Sequence, residues 1–297
     1  MIFKERQYFG YFRVMILAMR VLLLCLVMLS FGQTEAQIFY RRSELGAAGG
    51  ASHYFGDINP DYSVSSPSSS ASIFYRYNLS RYIAFKFAGS YANIGSDDKF
   101  SSDIYQKTRN LNFRNNIYEV GAFFEFSFFE FNVQDFEHRF TPYVTIGLAA
   151  FHHDPFTYYD GRKIRLQPLG TEGQNYETYQ DRKYKNNIVA FPFGLGVKYW
   201  MARGITFHVE VVQRSTATDY LDDVSTTYVG KEKFIDLEPS PYPTPAEILQ
   251  DRSVEINGTE FGKAGRQRGV STTRDKYMLL QLGFSFRLPT YKCPDEF

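Results

Sequence analysis

Apolar and polar residues alternate with a period of two through most of the chain. Ile73, Tyr75, Tyr77 and Leu79 fall on one face, with Arg76 among the residues on the other, and Ile83, Phe85, Phe87 and Tyr91 oppose Ala84, Lys86, Ala88 and Ser90. Tyr118, Val120, Ala122, Phe124, Phe126 and Phe128 likewise face away from Glu119, Gly121, Phe123, Glu125 and Ser127. The same pattern recurs over 144–149, 189–199, 205–212 and 278–288. With a weaker, glycine-rich strand at 43–52, it predicts eight strands, each with one greasy face and one polar or small face.

A soluble sandwich would alternate in the same way, so the connections decide. Those near Ser80, at 133–139 and at 202–204 are short, whereas 53–68, 95–115, 152–185 and 215–275 are long. In an even-stranded meander every second connection lies at the same end, so the long ones gather on one side. Short periplasmic turns and long external loops are the pattern of outer-membrane barrels, and loops of such length are uncommon in soluble domains. The predicted fold is all-β: an eight-stranded antiparallel transmembrane barrel in the outer membrane.

Composition agrees. An aromatic content of 18%, with 23 Tyr and 29 Phe, suits a chain that presents rings to lipid. The net charge of +1 offers no basic excess for nucleic acid. Lys4, Arg6, Arg13 and Arg20, an apolar run from Val21 to Leu29, and Thr34-Glu35-Ala36 read as a signal peptide over 1–36, leaving a barrel at 37–288 and a periplasmic tail at 289–297. The apolar run is too short for a spanning helix, and Leu24 is too large for a lipoprotein signal before Cys25. The mature chain then keeps a single cysteine, Cys293, which is either an unpaired bystander or a partner contact able to form an intermolecular disulfide. Gln281-x-Gly283-x-x-Phe286-x-Leu288 resembles the signal recognised by the barrel-insertion machinery.

An eight-stranded barrel is just wide enough to be filled by its own side chains. Arg76, Lys86, Glu119, Glu125, Lys198, His208, Glu210 and Arg287 fall on inward faces, and a paired ionic plug is the expected arrangement. His152 and His153 beside Asp154 have the composition of a base with an orienting carboxylate, the basis of an alternative reading as a surface enzyme on lipid or peptide. Asp219, Asp222 and Asp223 offer oxygen ligands, but the glycine and bidentate glutamate of a calcium loop are missing. No metal and no cofactor is expected. The last loop carries Pro239-x-Pro241-x-Pro243-x-Pro245, a helical turn at 247–252 and a Gly-rich stretch at 258–269, and either covers the mouth or meets a partner.

Gly56-Asp57-Ile58-Asn59-Pro60, Leu166-Gln167-Pro168-Leu169-Gly170-Thr171-Glu172-Gly173-Gln174, Thr218-Asp219-Tyr220-Leu221-Asp222-Asp223-Val224-Ser225 and Arg268-Gly269-Val270-Ser271 resemble the PorG-like outer-membrane barrels of Bacteroidetes. The resemblance covers most of the mature chain. It implies membership of the type IX protein secretion and gliding machinery, with a PorK-like lipoprotein and a PorN-like protein as periplasmic ring partners beside the outer-membrane lipids. That group also contains members with no assigned task. Because the matched motifs sit in loops, Asp57, Asn59, Glu172, Asp219, Asp222 and Asp223 are expected to hold one another in a shared cap, with Pro60 and Pro168 fixing turns. The expected function is a non-enzymatic membrane anchor; a small porin or adhesin barrel of the OmpA type is the remaining alternative.

Overall fold

The computed structural model describes residues 43–61, 67–131, 136–202, 204–237 and 243–288. The signal peptide, Pro239, Pro241 and the tail with Cys293 lie outside the described residues.

Ten strands form one sheet: β1 (Ser43–Phe55), β2 (Ser68–Asn78), β3 (Ile83–Asp97), β4 (Asn112–Ser127), β5 (Phe140–His152), β6 (Pro155–Tyr159), β7 (Arg162–Arg165), β8 (Asn187–Ala202), β9 (Ile205–Thr216) and β10 (Lys276–Arg287). Eight of them close on themselves in the order β3-β2-β1-β10-β9-β8-β5-β4, with β3 paired to β4. Every pair in the ring is antiparallel. Closure leaves no strand edge inside the ring, so backbone donors and acceptors are satisfied within the sheet and the wall tolerates lipid.

The outward face is apolar. Ile73, Phe87, Val120, Leu148, Phe193, Leu195, Leu282 and Phe284 are all exposed, whereas their inward neighbours Ser72, Lys86, Glu119, Ala149, Gly194 and Ser285 are buried. Tyr91 and Tyr118, their rings tilted against each other at 5.3 Å, mark one rim of this belt, and Tyr82, Phe128, Phe129 and Tyr199 mark the other. A closed barrel clothed in apolar side chains and girdled by aromatics is an outer-membrane protein, crossing the bilayer with strands. No helix among the described residues is long and apolar enough to cross a membrane.

The connections 56–67, 98–111, 153–186 and 217–275 lie at one end, and 79–82, 128–139 and 203–204 at the other. Several strands outrun their sequence-based limits. β1 continues to Phe55 rather than Ser52, β3 to Asp97, and β4 starts at Asn112, so both ends of 95–115 are strand rather than loop. Polar residues such as Asn93, Asn112 and Asn116 weaken the alternation there because both faces of the sheet have left the membrane. The segment 152–185 also folds: β6 and β7 make a hairpin on top of β4. Its turn is Asp160-Gly161, both at positive φ (49° and 71°), the requirement of a two-residue hairpin turn. Among the described residues four short α-helices lie in the long loops: α1 (Ile104–Arg109), α2 (Lys231–Leu237), α3 (Pro245–Gln250), which overlaps the expected turn at 247–252, and α4 (Val254–Asn257). Asp103 caps α1 through Tyr105 N, and Thr244 caps α3 through Glu247 N.

Candidate functional site

The barrel lumen is filled in layers. Lowest, Glu44 and Glu125 flank Arg76: Arg76 Nε donates to Glu125 Oε2 at 2.9 Å and Nη1 to Glu44 Oε2 at 3.2 Å. Lys198 Nζ donates to Glu125 Oε2 at 2.5 Å, and Lys86 Nζ lies 3.3 Å from Glu125 Oε1 and 2.6 Å from Glu210 Oε2. Tyr143 donates to Glu210 at 2.7 Å, Ser285 to Glu44 at 2.7 Å, and Asn78 to Glu44 at 2.8 Å. One turn of the wall higher, Arg214 grips Glu119 with two nitrogens at 3.2 and 3.3 Å, and Tyr277 donates to the same carboxylate. Arg76, Lys86, Lys198 and Arg214 thus meet Glu44, Glu119, Glu125 and Glu210, four charges against four, all buried. Charge balance and a full set of hydrogen bonds make such burial tolerable.

Of the inward residues named from sequence, His208 stands apart. It is buried, packs edge-on against Phe74 at 5.1 Å, and neither ring nitrogen has a hydrogen-bond partner among the described residues. Its ring also explains Gly283, where a Cβ would lie 2.5 Å from His208 Cε1 and 2.6 Å from Ala47 O. Gln281, of the same motif, points inward to Ser70 and Ser72, while Phe286 and Leu288 face lipid. Arg287 is half-buried at the turn end.

Above Glu119 the lumen turns apolar. Tyr54, Phe113, Ile117, Phe151, Tyr277 and Leu279 from the wall pack with Ile58, Leu111, Leu166, Leu221, Val224 and Leu249 from the loops, so the loops are stoppered into the mouth by one hydrophobic cluster.

Over that cluster lies the polar lattice of the cap. Glu172 accepts from Ser225 N (2.9 Å), Thr226 N (3.1 Å), Thr226 Oγ1 (2.6 Å), Tyr220 (3.2 Å) and Arg268 Nη1 (3.1 Å). Arg268 is buried and also donates to Asp223 O at 2.6 Å and Gln250 O at 3.1 Å, joining the 153–186 loop to two parts of the 217–275 loop through one guanidinium. Arg109 repeats the device, binding Asp98 with two nitrogens at 2.7 and 2.8 Å and donating to Arg268 O and Asp57 O. Asp57 receives Val270 N on both oxygens, an approach that Gly269 allows, since a Cβ there would lie 2.2 Å from Asp57 Oδ2. Asp223, at φ 66°, accepts from Thr171 (2.5 Å) and Tyr184 (2.7 Å). Asp219 accepts from Ser225 Oγ at 2.6 Å, and Asn59 donates to Tyr54 O at 2.8 Å. Asp222 and Asp275 both receive Tyr54, at 2.6 and 3.0 Å. Pro60 and Pro168 sit in exposed turns.

The cap is rich in carboxylates held close together. Burial, reinforced by neighbouring carboxylates, raises Asp57 and Asp219 to about 7 and lifts Asp222 and Asp275 well above the usual range; burial raises Asp223 to about 6 against the pull of Arg268. A carboxyl with a raised folded pKa binds more protons folded than unfolded. Cap stability is therefore fullest below about pH 4 and falls as pH rises through about 6 to 7. His153, lowered to about 4 by burial, works in the opposite direction below its ordinary pKa, but it is one group against five. Amide hydrogen exchange at Val270, Ser225 and Thr226, corrected for intrinsic rate, is expected to report more frequent cap opening at pH 8 than at pH 5.5. Equal opening at the two values would remove the carboxylates as the cause.

The histidine–carboxylate pairing read from the sequence does not assemble. His152 faces outward and bonds Asn187 Oδ1 at 2.8 Å, whereas His153 is buried, stacked on Tyr184, with Lys185 O 3.2 Å from Nε2. Asp154 pairs with Arg165 at 2.6 Å. Adjacent residues of an extended chain point to opposite sides, which is why 152 and 153 part company. Among the described residues no group of three or more His, Cys, Asp or Glu could hold a metal ion. Glu44, Arg214, Tyr143 and Tyr277 belong to the lumen network, and Arg109, Asp98, Asp275 and Arg268 to the cap. None was singled out as a site residue from sequence, although Arg268 lies in one of the quoted motifs.

Residues 19–235 match the family model described as a domain of unknown function, DUF6089. The chain belongs to that family. Similar solved structures include Neisserial surface protein A (10% identity, covering 83% of this chain and 97% of that one, TM-score 0.40). They also include Ail, the attachment invasion locus protein of Yersinia pestis (10%, 84% and 100%, 0.38), and the N-terminal β-barrel domain of Pseudomonas aeruginosa OprF (12%, 84% and 99%, 0.35). No curated protein matches the chain. In this DUF6089 barrel the quoted motifs lie in the loops at one end of the ring, and Arg76, Lys86, Glu119, Glu125, Lys198 and Glu210 form ion pairs inside it.

Proposed function

We propose that this DUF6089 protein is a non-enzymatic outer-membrane anchor, a plugged and capped barrel that holds a protein assembly to the membrane. One observation carries the reading: the lumen is filled from the four-against-four ion network up to the hydrophobic stopper, so the barrel is built to stay shut. The buried charges satisfy one another rather than facing a path. The parting of His152, His153 and Asp154 supports a non-catalytic role.

The resemblance to PorG-like barrels points this anchor towards the type IX secretion and gliding machinery, with a PorK-like lipoprotein and a PorN-like protein as periplasmic partners and Cys293 at or near their contact. In membranes solubilised gently after crosslinking, the barrel is expected to co-purify with a periplasmic ring lipoprotein, and Cys293→Ser to abolish a high-mass band on non-reducing gels if the contact is covalent. Recovery of the barrel alone would overturn the assembly role. In planar bilayers the purified protein is expected to give no steady conductance; well-defined open steps would favour a small porin.

A further inference from the structure

The outer wall is not uniform around the ring. On β2–β5 the lipid-facing row dips at Gly89 and Ala122 between the larger Ile73, Phe87, Val120 and Leu148, leaving an open groove of about 550 Å³. A Cβ added at Gly89 would meet nothing closer than Ile73 Cγ1 at 4.0 Å, so the dip is space, not packing.

The same face continues above the membrane. Along β4 the outward residues run Val120, Tyr118, Asn116, Arg114: apolar, aromatic, amide, cation. Four residues at about 3.3 Å each place Arg114 roughly 13 Å along the tilted strand beyond the Tyr118 girdle, from where an arginine side chain can reach the headgroup layer. Sheet register sets Arg114 beside Phe156, and Phe156 beside Arg165. Lys163 Nζ lies 3.8 Å from the Phe156 ring centroid. Arg165 is paired with Asp154, but Arg114 and Lys163 are exposed and have no ion pair among the described residues. The one acid at the hairpin turn, Asp160, offsets one of the charges of Arg114, Arg162 and Lys163. A cationic shelf therefore stands beyond an acyl-sized groove on the same outward face, the two joined by β4.

We propose that this face is a binding site for an anionic, phosphate-bearing membrane lipid. Its acyl chains lie in the groove over Gly89 and Ala122, and its headgroup phosphate is held by Arg114 and Lys163. Both halves are needed: the groove by itself would take any chain, and the cations alone any anion. Cations at headgroup depth attract anionic lipid, and the paired Phe156 and Tyr158 rings give the shelf a rigid base.

The test uses the full chain reconstituted in phosphatidylcholine bilayers with spin-labelled phosphatidylglycerol or spin-labelled phosphatidylcholine of identical chains. The motionally restricted fraction is expected to favour phosphatidylglycerol by about three- to ten-fold. The double variant Arg114→Gln/Lys163→Gln, whose side chains serve no internal ion pair, is expected to bring the ratio near one while the barrel stays folded and heat-modifiable. Gly89→Phe fills the groove and is expected to lower restriction of both labels. Equal restriction of the two labels by the wild type, or an unchanged ratio in the double variant, overturns the headgroup site. Unchanged restriction in Gly89→Phe overturns the acyl groove.

Discussion

Glu125→Ala is expected to cost the barrel about 3 to 5 kcal/mol, because it removes one partner from a buried ion network and leaves the others without it. Glu125 is the meeting point of three cations: Arg76, Lys86 and Lys198. Two have a second carboxylate, Arg76 in Glu44 and Lys86 in Glu210. Lys198 has none, so its ammonium would face two other cations in a wall that admits no counter-ion. Urea or thermal unfolding in detergent micelles, read by the heat-modifiable gel shift, measures the loss. Glu44→Ala leaves Arg76 its bond to Glu125 and should cost less. The order Glu125 well above Glu44 is the decisive result; equal effects would mean that the charges act independently rather than as one plug.

Arg268→Ala is the second large effect, and it is confined to the cap. It leaves Glu172 without its only ion-pair partner among the described residues and unties Asp223 O and Gln250 O. Glu172 would still accept from Ser225, Thr226 and Tyr220, so the cost is again that of a buried charge stripped of its partner, about 3 kcal/mol. Because the cap is stoppered by Leu221, Val224 and Leu249, it should loosen rather than leave. Limited proteolysis is expected to cut within 217–275 at least ten-fold faster, while the barrel itself keeps its gel shift. Coincident loss of both would show that cap and barrel unfold as one unit. Arg268→Lys keeps the charge but not the fork, and should recover only part of the protection.

The eight strands of the ring, their outward and inward faces and the gathering of the long loops at one end were legible in the sequence, because each membrane strand reports its own environment; the β6–β7 hairpin was not. Lipid on one face and a narrow lumen on the other impose a period of two that needs no knowledge of partners. The same parity placed Arg76, Lys86, Glu119, Glu125, Lys198 and Glu210 inside the ring. It could not separate His152 from His153 functionally, since chemical proximity in sequence suggested a pair where strand geometry sends one ring out and the other in. Nor could it show that polar stretches at 95–97 and 112–115 remain strand, because above the membrane the two faces no longer differ in solvent. What only the tertiary structure decided is which charge meets which. Glu44 and Arg76 are joined across β1 and β2, but Lys198 reaches Glu125 and Arg214 reaches Glu119 across the lumen, and Arg109, Arg268, Asp57 and Glu172 are assembled from four loops far apart in the chain. Strand alternation is a local rule, enforced by solvent at every residue, whereas the plug and the cap are set by ring closure and loop packing, which no single segment encodes.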